Sequence, residues 1–239
     1  PVYSAMSRTV FDGTNDYLDK TTAFSGIANN REFTWSITAE LLAGSDGVLK
    51  RFVAFGDAAG TATTDMLLQI DKTTTNAIQV IIRNTAGTTF FTGTTTTGAW
   101  VQSHGEVTLT VSIDQPNGRY QIYRNNTAIA WATGPTVTAA DIPWVSVIRP
   151  RFYASLTGTA AVTMDHRVSF FHNDALDLSA SASGVQNTEK FLPANIGARG
   201  QNPFGVDSIV MVYGPDATLG ANYGTGGNYT RGGSTPDLP

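Results

Sequence analysis

The chain has no cysteine, which excludes disulfides and thiolate metal sites. Charge is also scarce: 14% of its 239 residues are Asp, Glu, Lys or Arg, well below the usual ~25%. Lys and Arg number 15 against 19 Asp and Glu, for a formal net charge of −4. No basic cluster of the kind that holds nucleic acid is present, and no nucleic-acid partner is expected. The longest basic feature, Lys50-Arg51, reads as a solvated strand or turn. No segment approaches the ~20 apolar residues of a membrane span, and Pro1 to Asp12 lacks the apolar run of a secretory signal. Pro1 reads as the residue left after removal of an initiator Met, so synthesis in a host cytoplasm is expected.

Helical patterning is missing as well. No stretch keeps apolar residues at i, i+3, i+4 and i+7 for three turns, and at most a short helix fits near Thr188 to Ile196. What the chain has instead is period-two alternation. Phe33, Trp35, Ile37 and Ala39 alternate with Thr34, Ser36, Thr38 and Glu40. Val107, Leu109, Val111 and Ile113 alternate with Thr108, Thr110, Ser112 and Asp114. Ile78, Val80 and Ile82 form a third set, and Met164, His166, Val168 and Phe170 a fourth, opposite Asp165, Arg167, Ser169 and Phe171. Such runs are half-buried strands. The 24 glycines and the turns Asp12-Gly13, Asp46-Gly47, Pro116-Asn117-Gly118 and Gly134-Pro135 punctuate them. Gln115 to Arg119 reads as a hairpin leading into a strand from Tyr120 to Arg124, and Thr92 to Thr97 as a loop. About ten short strands without helices predict an all-β, two-sheet antiparallel sandwich.

Composition shifts near Phe191. Residues 1–190 read as the sandwich domain. Residues 191–239, rich in Gly, Asn and Pro, read as a C-terminal extension that packs on the sandwich or on a neighbouring subunit, or stays a partly ordered tail. Its apolar side chains Phe204, Ile209, Met211 and Tyr213 are the candidates for docking on a particle or a subunit. The alternative is that Ile209 to Tyr213 adds a strand to the same sandwich.

Three ordered stretches resemble the laminin-G-like branch of the concanavalin A-like lectin/glucanase fold. They are Val10-Phe11-Asp12-Gly13-Thr14-Asn15-Asp16-Tyr17-Leu18, Gly118 to Asn126 with its Tyr123-Arg124-Asn125-Asn126 turn, and His166 to Leu176. Asn126 stands where that family usually has Gly. The resemblance covers residues 8–178 and implies a jelly roll of two curved sheets. The stretch Val212-Tyr213-Gly214-Pro215 with Asn222 to Thr230 resembles the tails that follow such domains in tailed-bacteriophage structural proteins.

The resemblance implies no single activity, because this fold hosts lectins, glycan hydrolases and adhesion modules. Its hydrolases carry two Glu flanking an Asp on one strand, and glycoside hydrolysis needs paired carboxylates. Glu32, Glu40, Glu106 and Glu189 are far apart in sequence, so no catalytic residue is assigned and no enzyme is expected. His166 reads as a core histidine, and His104 and His172 supply no metal-ligand set. No metal or cofactor is expected, although relatives hold Ca²⁺ at a sheet rim and Asp12, Asp16, Asp57 and Asp65 lie near turns; turn-forming Asp is the preferred reading. Tyr123, Trp131 and Trp144 are the candidate sugar-stacking aromatics. The resemblance implies a non-enzymatic phage virion surface protein: a capsid decoration, head-spike, fibre or baseplate component. Its partners are then other virion proteins and sister copies in a homo-oligomer, with host-surface polysaccharide as a further ligand. The alternative is a free carbohydrate-binding lectin module.

Overall fold

The computed structural model describes residues 8–56, 65–157, 159–180, 187–197, 199–201, 204–213 and 221–232. They form two antiparallel sheets. Sheet A runs β1 (Thr9–Asp12), β13 (Thr163–His172), β3 (Glu32–Leu41), β8 (Glu106–Asp114), β9 (Arg119–Arg124) and β10 (Thr127–Ala128). Sheet B runs β11 (Thr136–Val137), β7 (Thr89–Thr94), β6 (Ile78–Arg83), β5 (Met66–Lys72), β4 (Lys50–Gly56), β12 (Arg149–Phe152), β2 (Tyr17–Asp19) and β15 (Thr230–Gly232). The protein is an all-β jelly-roll sandwich, as the alternation predicts.

The inward faces make the core. Phe33, Trp35 and Ile37 of β3 and Leu109, Val111 and Ile113 of β8 meet Phe55, Leu68, Ile70, Val80, Ile82 and Phe91 from sheet B. Phe52 stacks on Trp100 at 5.0 Å and tilts against Trp35. Aromatics carry much of this core because each buries a large area and prefers offset or edge contacts.

Three local readings are corrected. The pairing of β13 with β3 shifts register between His166 and Val168, so Arg167 is an extra residue in a β-bulge. Met164 and His166 face the core with Phe171, while Val168 and Phe170 point outward into a second apolar cluster. The expected single face through Met164, His166, Val168 and Phe170 is therefore broken, since one inserted residue flips every later side chain. Thr92 to Thr94 belong to β7 and are not loop. Lys50-Arg51 opens β4 but is buried rather than solvated. Arg51 makes a bidentate pair with Asp71 across the strands (2.8 and 2.9 Å).

The C-terminal residues wrap the outer face of sheet A. That face carries a hydroxyl ladder, Ser36 with Thr110 (2.9 Å) and Thr38 with Thr108 (2.7 Å). Thr34 Oγ1 donates to the Asp174 carbonyl, and Ser112 Oγ to the Leu176 carbonyl, so the following chain is laced across the sheet. A short 3-10 helix, Asn187–Phe191, follows. β14 (Val210–Tyr213) then pairs with β13 at Val168 to Phe171, on the edge whose other half, Thr163 to His166, holds β1. Val168, Phe170, Leu178, Phe191, Ile196, Met211 and Tyr213 close the second core between the wrap and the sheet.

Candidate functional site

Where the wrap ends, sheet A is left with a cleft of about 220 Å³. Its floor is Glu106 and Thr108 of β8 and Arg167 of the β13 bulge; Asn125 of the β9–β10 turn and Leu192, Pro193 and Ala194 form its walls. Each polar group is held from behind. Asn125 sits at φ 52°, the left-handed conformation that Asn tolerates in turns. Its Oδ1 accepts from the Thr108 amide (2.9 Å), while its own amide donates to the Thr108 carbonyl (2.7 Å). Asn126 Nδ2 donates to Glu189 (3.0 Å), which ties the turn to the 3-10 helix beside the cleft.

The bulge gives Arg167 its place. Its guanidinium pairs with Glu106 at 3.0 Å. Arg8 reaches the same carboxylate (2.9 Å) and also Asp165 (2.6 Å) and Glu40 (3.5 Å). The Asp165 bond, ahead of the desolvation that opposes it, raises the Arg8 guanidinium further above its already high pKa. Asp165, Glu40 and Glu106 are direct neighbours across β13, β3 and β8. The fold thus brings together carboxylates that are far apart in sequence. All three face Arg8, which pairs with each of them. The arrangement is a rigid donor and acceptor surface beside an apolar wall.

The residues singled out from sequence lie elsewhere and do not converge. Trp144 is fully buried, its Nε1 bonded to Asn30 (2.7 Å) and its ring against Phe33 and Phe171; it cannot stack on a ligand. Trp131 is partly buried at the end of the sandwich, its Nε1 donating to the Tyr120 carbonyl (2.8 Å). It lies against Gly93, where a Cβ would come within 2.7 Å of the ring. Tyr123 packs on the second core. The four proposed docking side chains turn inward. Ile209 joins the main core, Met211 and Tyr213 the second, and Phe204 stacks on His172 at 4.5 Å. The outer face and free edge of β13 supply within the chain the surface on which these side chains pack.

Asp12 and Asp16 use oxygens on backbone amides of their own turn (2.7 and 2.8 Å). Asp65 precedes β5, and Asp57 lies outside the described residues. Among the described residues no group of three or more His, Asp or Glu is arranged to hold a metal ion.

No family model and no curated protein matches the sequence. Solved structures do match. The CBM40 of the Ruminococcus gnavus IT-sialidase, bound to α2,3-sialyllactose, superposes with a TM-score of 0.51 at 14% identity, covering 72% of this chain and 92% of that one. The NanB sialidase of Streptococcus pneumoniae, as its K499G mutant, gives 0.51 at 13% identity over 72% of this chain and 27% of its own. A candidate carbohydrate-binding protein of Bacteroides ovatus gives 0.52 at 10% identity over 87% of this chain and 50% of its own. At these identities the likeness is one of fold, and the fold is that of lectin-like jelly-roll domains.

Proposed function

We propose that this chain is a non-catalytic carbohydrate-binding module that takes one sugar unit in the cleft between β8, the β13 bulge and the Leu192 to Ala194 turn. The observation that carries the reading is the cleft itself. Its charged and amide groups sit on paired strands or a pinned turn, opposite an apolar wall. Sugars present hydroxyls around the ring and C–H groups on its faces, and such a surface meets both. At about 220 Å³ it is smaller than the ~300–1,000 Å³ of drug-sized sites, which suits a single ring. The fold likeness to a CBM40 and to a candidate carbohydrate-binding protein supports the same reading.

A printed array of neutral and acidic oligosaccharides, followed by calorimetry on the best ligand, tests it. Ala194 is exposed on the cleft wall, so Ala194→Trp fills the cleft without disturbing the core. Binding in the wild type, lost in this variant at unchanged melting temperature, is the expected result. Undiminished binding in the variant would remove the cleft from consideration. A virion-surface setting, with virion proteins and sister copies as partners, is the narrower form of this proposal. Its support is the resemblance of the 212–230 stretch to the C-terminal segments that follow such domains in tailed-bacteriophage structural proteins. Co-sedimentation of the chain with phage particles tests that form.

A further inference from the structure

The outer face of sheet B carries a guanidinium that differs from its neighbours. Gln79, Ile81 and Arg83 project from the same side of β6 and are half-exposed, while Ile78, Val80 and Ile82 between them are buried. Elsewhere on sheet B, Arg51 of β4 is matched by Asp71 of β5, and Arg151 of β12 by Asp19 of β2 through two bonds (3.1 and 2.7 Å). Arg83 has no such partner: among the described residues no carboxylate lies within ion-pair distance of it. Nη1 alone is used, donating to the Met66 carbonyl (3.1 Å) and weakly to Gln69 Oε1 (3.4 Å). These two bonds aim the fork, and Nε and Nη2 donate to nothing among the described residues. Burial, and then the charge of Arg51, make the protonated state less comfortable than in water, and Asp71 offsets this only in part.

We propose that this face is a second ligand contact, in which Nε and Nη2 of Arg83 grip the carboxylate or sulfate of an acidic sugar whose ring lies along Ile81. A half-buried guanidinium with two parallel donors unused is the geometry that bidentate oxyanion recognition requires. Ile81, two residues earlier on the same face, offers an apolar surface to ring C–H groups. The proposal takes its ligand class from the carbohydrate-binding reading but does not depend on the cleft.

Titration of ¹⁵N-labelled protein with glucuronate, with N-acetylglucosamine 6-sulfate, with neutral N-acetylglucosamine and with inorganic sulfate tests it. Acidic sugars should shift the Arg83 Nε–H signal and the Ile81 and Arg83 amides. Arg83→Gln should weaken that binding at least tenfold at unchanged melting temperature. Arg83→Lys, which keeps the charge but not the fork, should weaken it severalfold. Comparison of glucuronate with the sulfated sugar identifies the preferred oxyanion. Binding by Arg83→Gln within twofold of wild type overturns the proposal, and inorganic sulfate binding as tightly as either acidic sugar overturns its sugar part. Ala194→Trp separates the two sites. If it abolishes acidic-sugar binding, the contact lies in the cleft and this inference fails. If the β6 shifts persist in it, this inference stands whatever becomes of the cleft.

Discussion

His166 should make the protein acid-sensitive in a window set by one side chain. It is fully buried, with Nε2 at 2.9 Å from Tyr153 Oη and 3.2 Å from Ser169 Oγ, and its ring against Phe11. Nδ1 has no hydrogen-bond partner among the described residues. Protonation would place a charge in the core and a second N–H with nothing to accept it, and burial pushes the pKa down to about 3. The unfolded chain titrates near 6.5. The folded value is the lower one, so the unfolded state binds more protons between these limits. The stability contributed by neutral His166 is fully present above pH 6.5 and is lost as the pH drops toward 3. At pH 4.5 the loss is about 2.7 kcal/mol, two pH units at about 1.36 kcal/mol each. That is a large share of a typical ~5–15 kcal/mol. Urea unfolding of wild type and His166→Gln at half-unit steps from pH 7.5 to 4.5 measures it. The glutamine variant is expected to be weaker at pH 7.5, having lost the contacts to Tyr153 and Ser169, but its curve should be flatter by about 2.7 kcal/mol. Parallel curves would refute the reasoning.

Lys72 should show a basic counterpart. It is fully buried and, among the described residues, has only the Val48 carbonyl (3.2 Å) and Asn76 Oδ1 (2.6 Å) as partners; burial lowers its pKa to about 8, with Asp46 opposing and Lys50 adding to the shift. The unfolded chain holds the proton longer, so stability should rise between pH 8 and about 10.4. Lys72→Met should remove that rise and stabilise the fold at pH 7 by up to about 3 kcal/mol in chemical denaturation. Gly224→Ala should destabilise by about 1–3 kcal/mol, read as a lower melting temperature, because a Cβ there would meet the Ser208 and Ile209 carbonyl oxygens at 2.4 and 2.7 Å.

The strands that sequence reveals are those that alternate without interruption. β3, β6 and β8 bury every second residue against the core, and their side chains say so. β13 misleads, because one extra residue at Arg167 reverses its faces and both faces end up covered. Lys50-Arg51 misleads for another reason. Arg51 is neutralised by Asp71, twenty residues away, and pairing across strands has no local trace. The cleft suffers from both. Arg167 enters it through the bulge, Glu106 gains its neighbours Glu40 and Asp165 by register, and Leu192 to Ala194 arrive over a wrap that looked like a loose extension. Large rings that could bind sugars serve the core instead: Trp144 is fully buried and Trp131 packs partly buried against it.

The strand register also sets a timetable for folding. Thr9 of β1 pairs with His166, and Tyr17 of β2 pairs with Gly232. A ribosome adding roughly 5–20 residues per second needs on the order of 10–40 s to go from Tyr17 to Gly232. Throughout that interval β2, with Leu18, is in the cell without its last partner, and β1, with Phe11, waits until β13 has been made; the finished fold buries both side chains completely. Contacts this distant in sequence also slow the folding step itself. The newborn chain therefore passes through a long stage in which its first two strands are exposed to chaperones or to other copies before the sheet edges close over them.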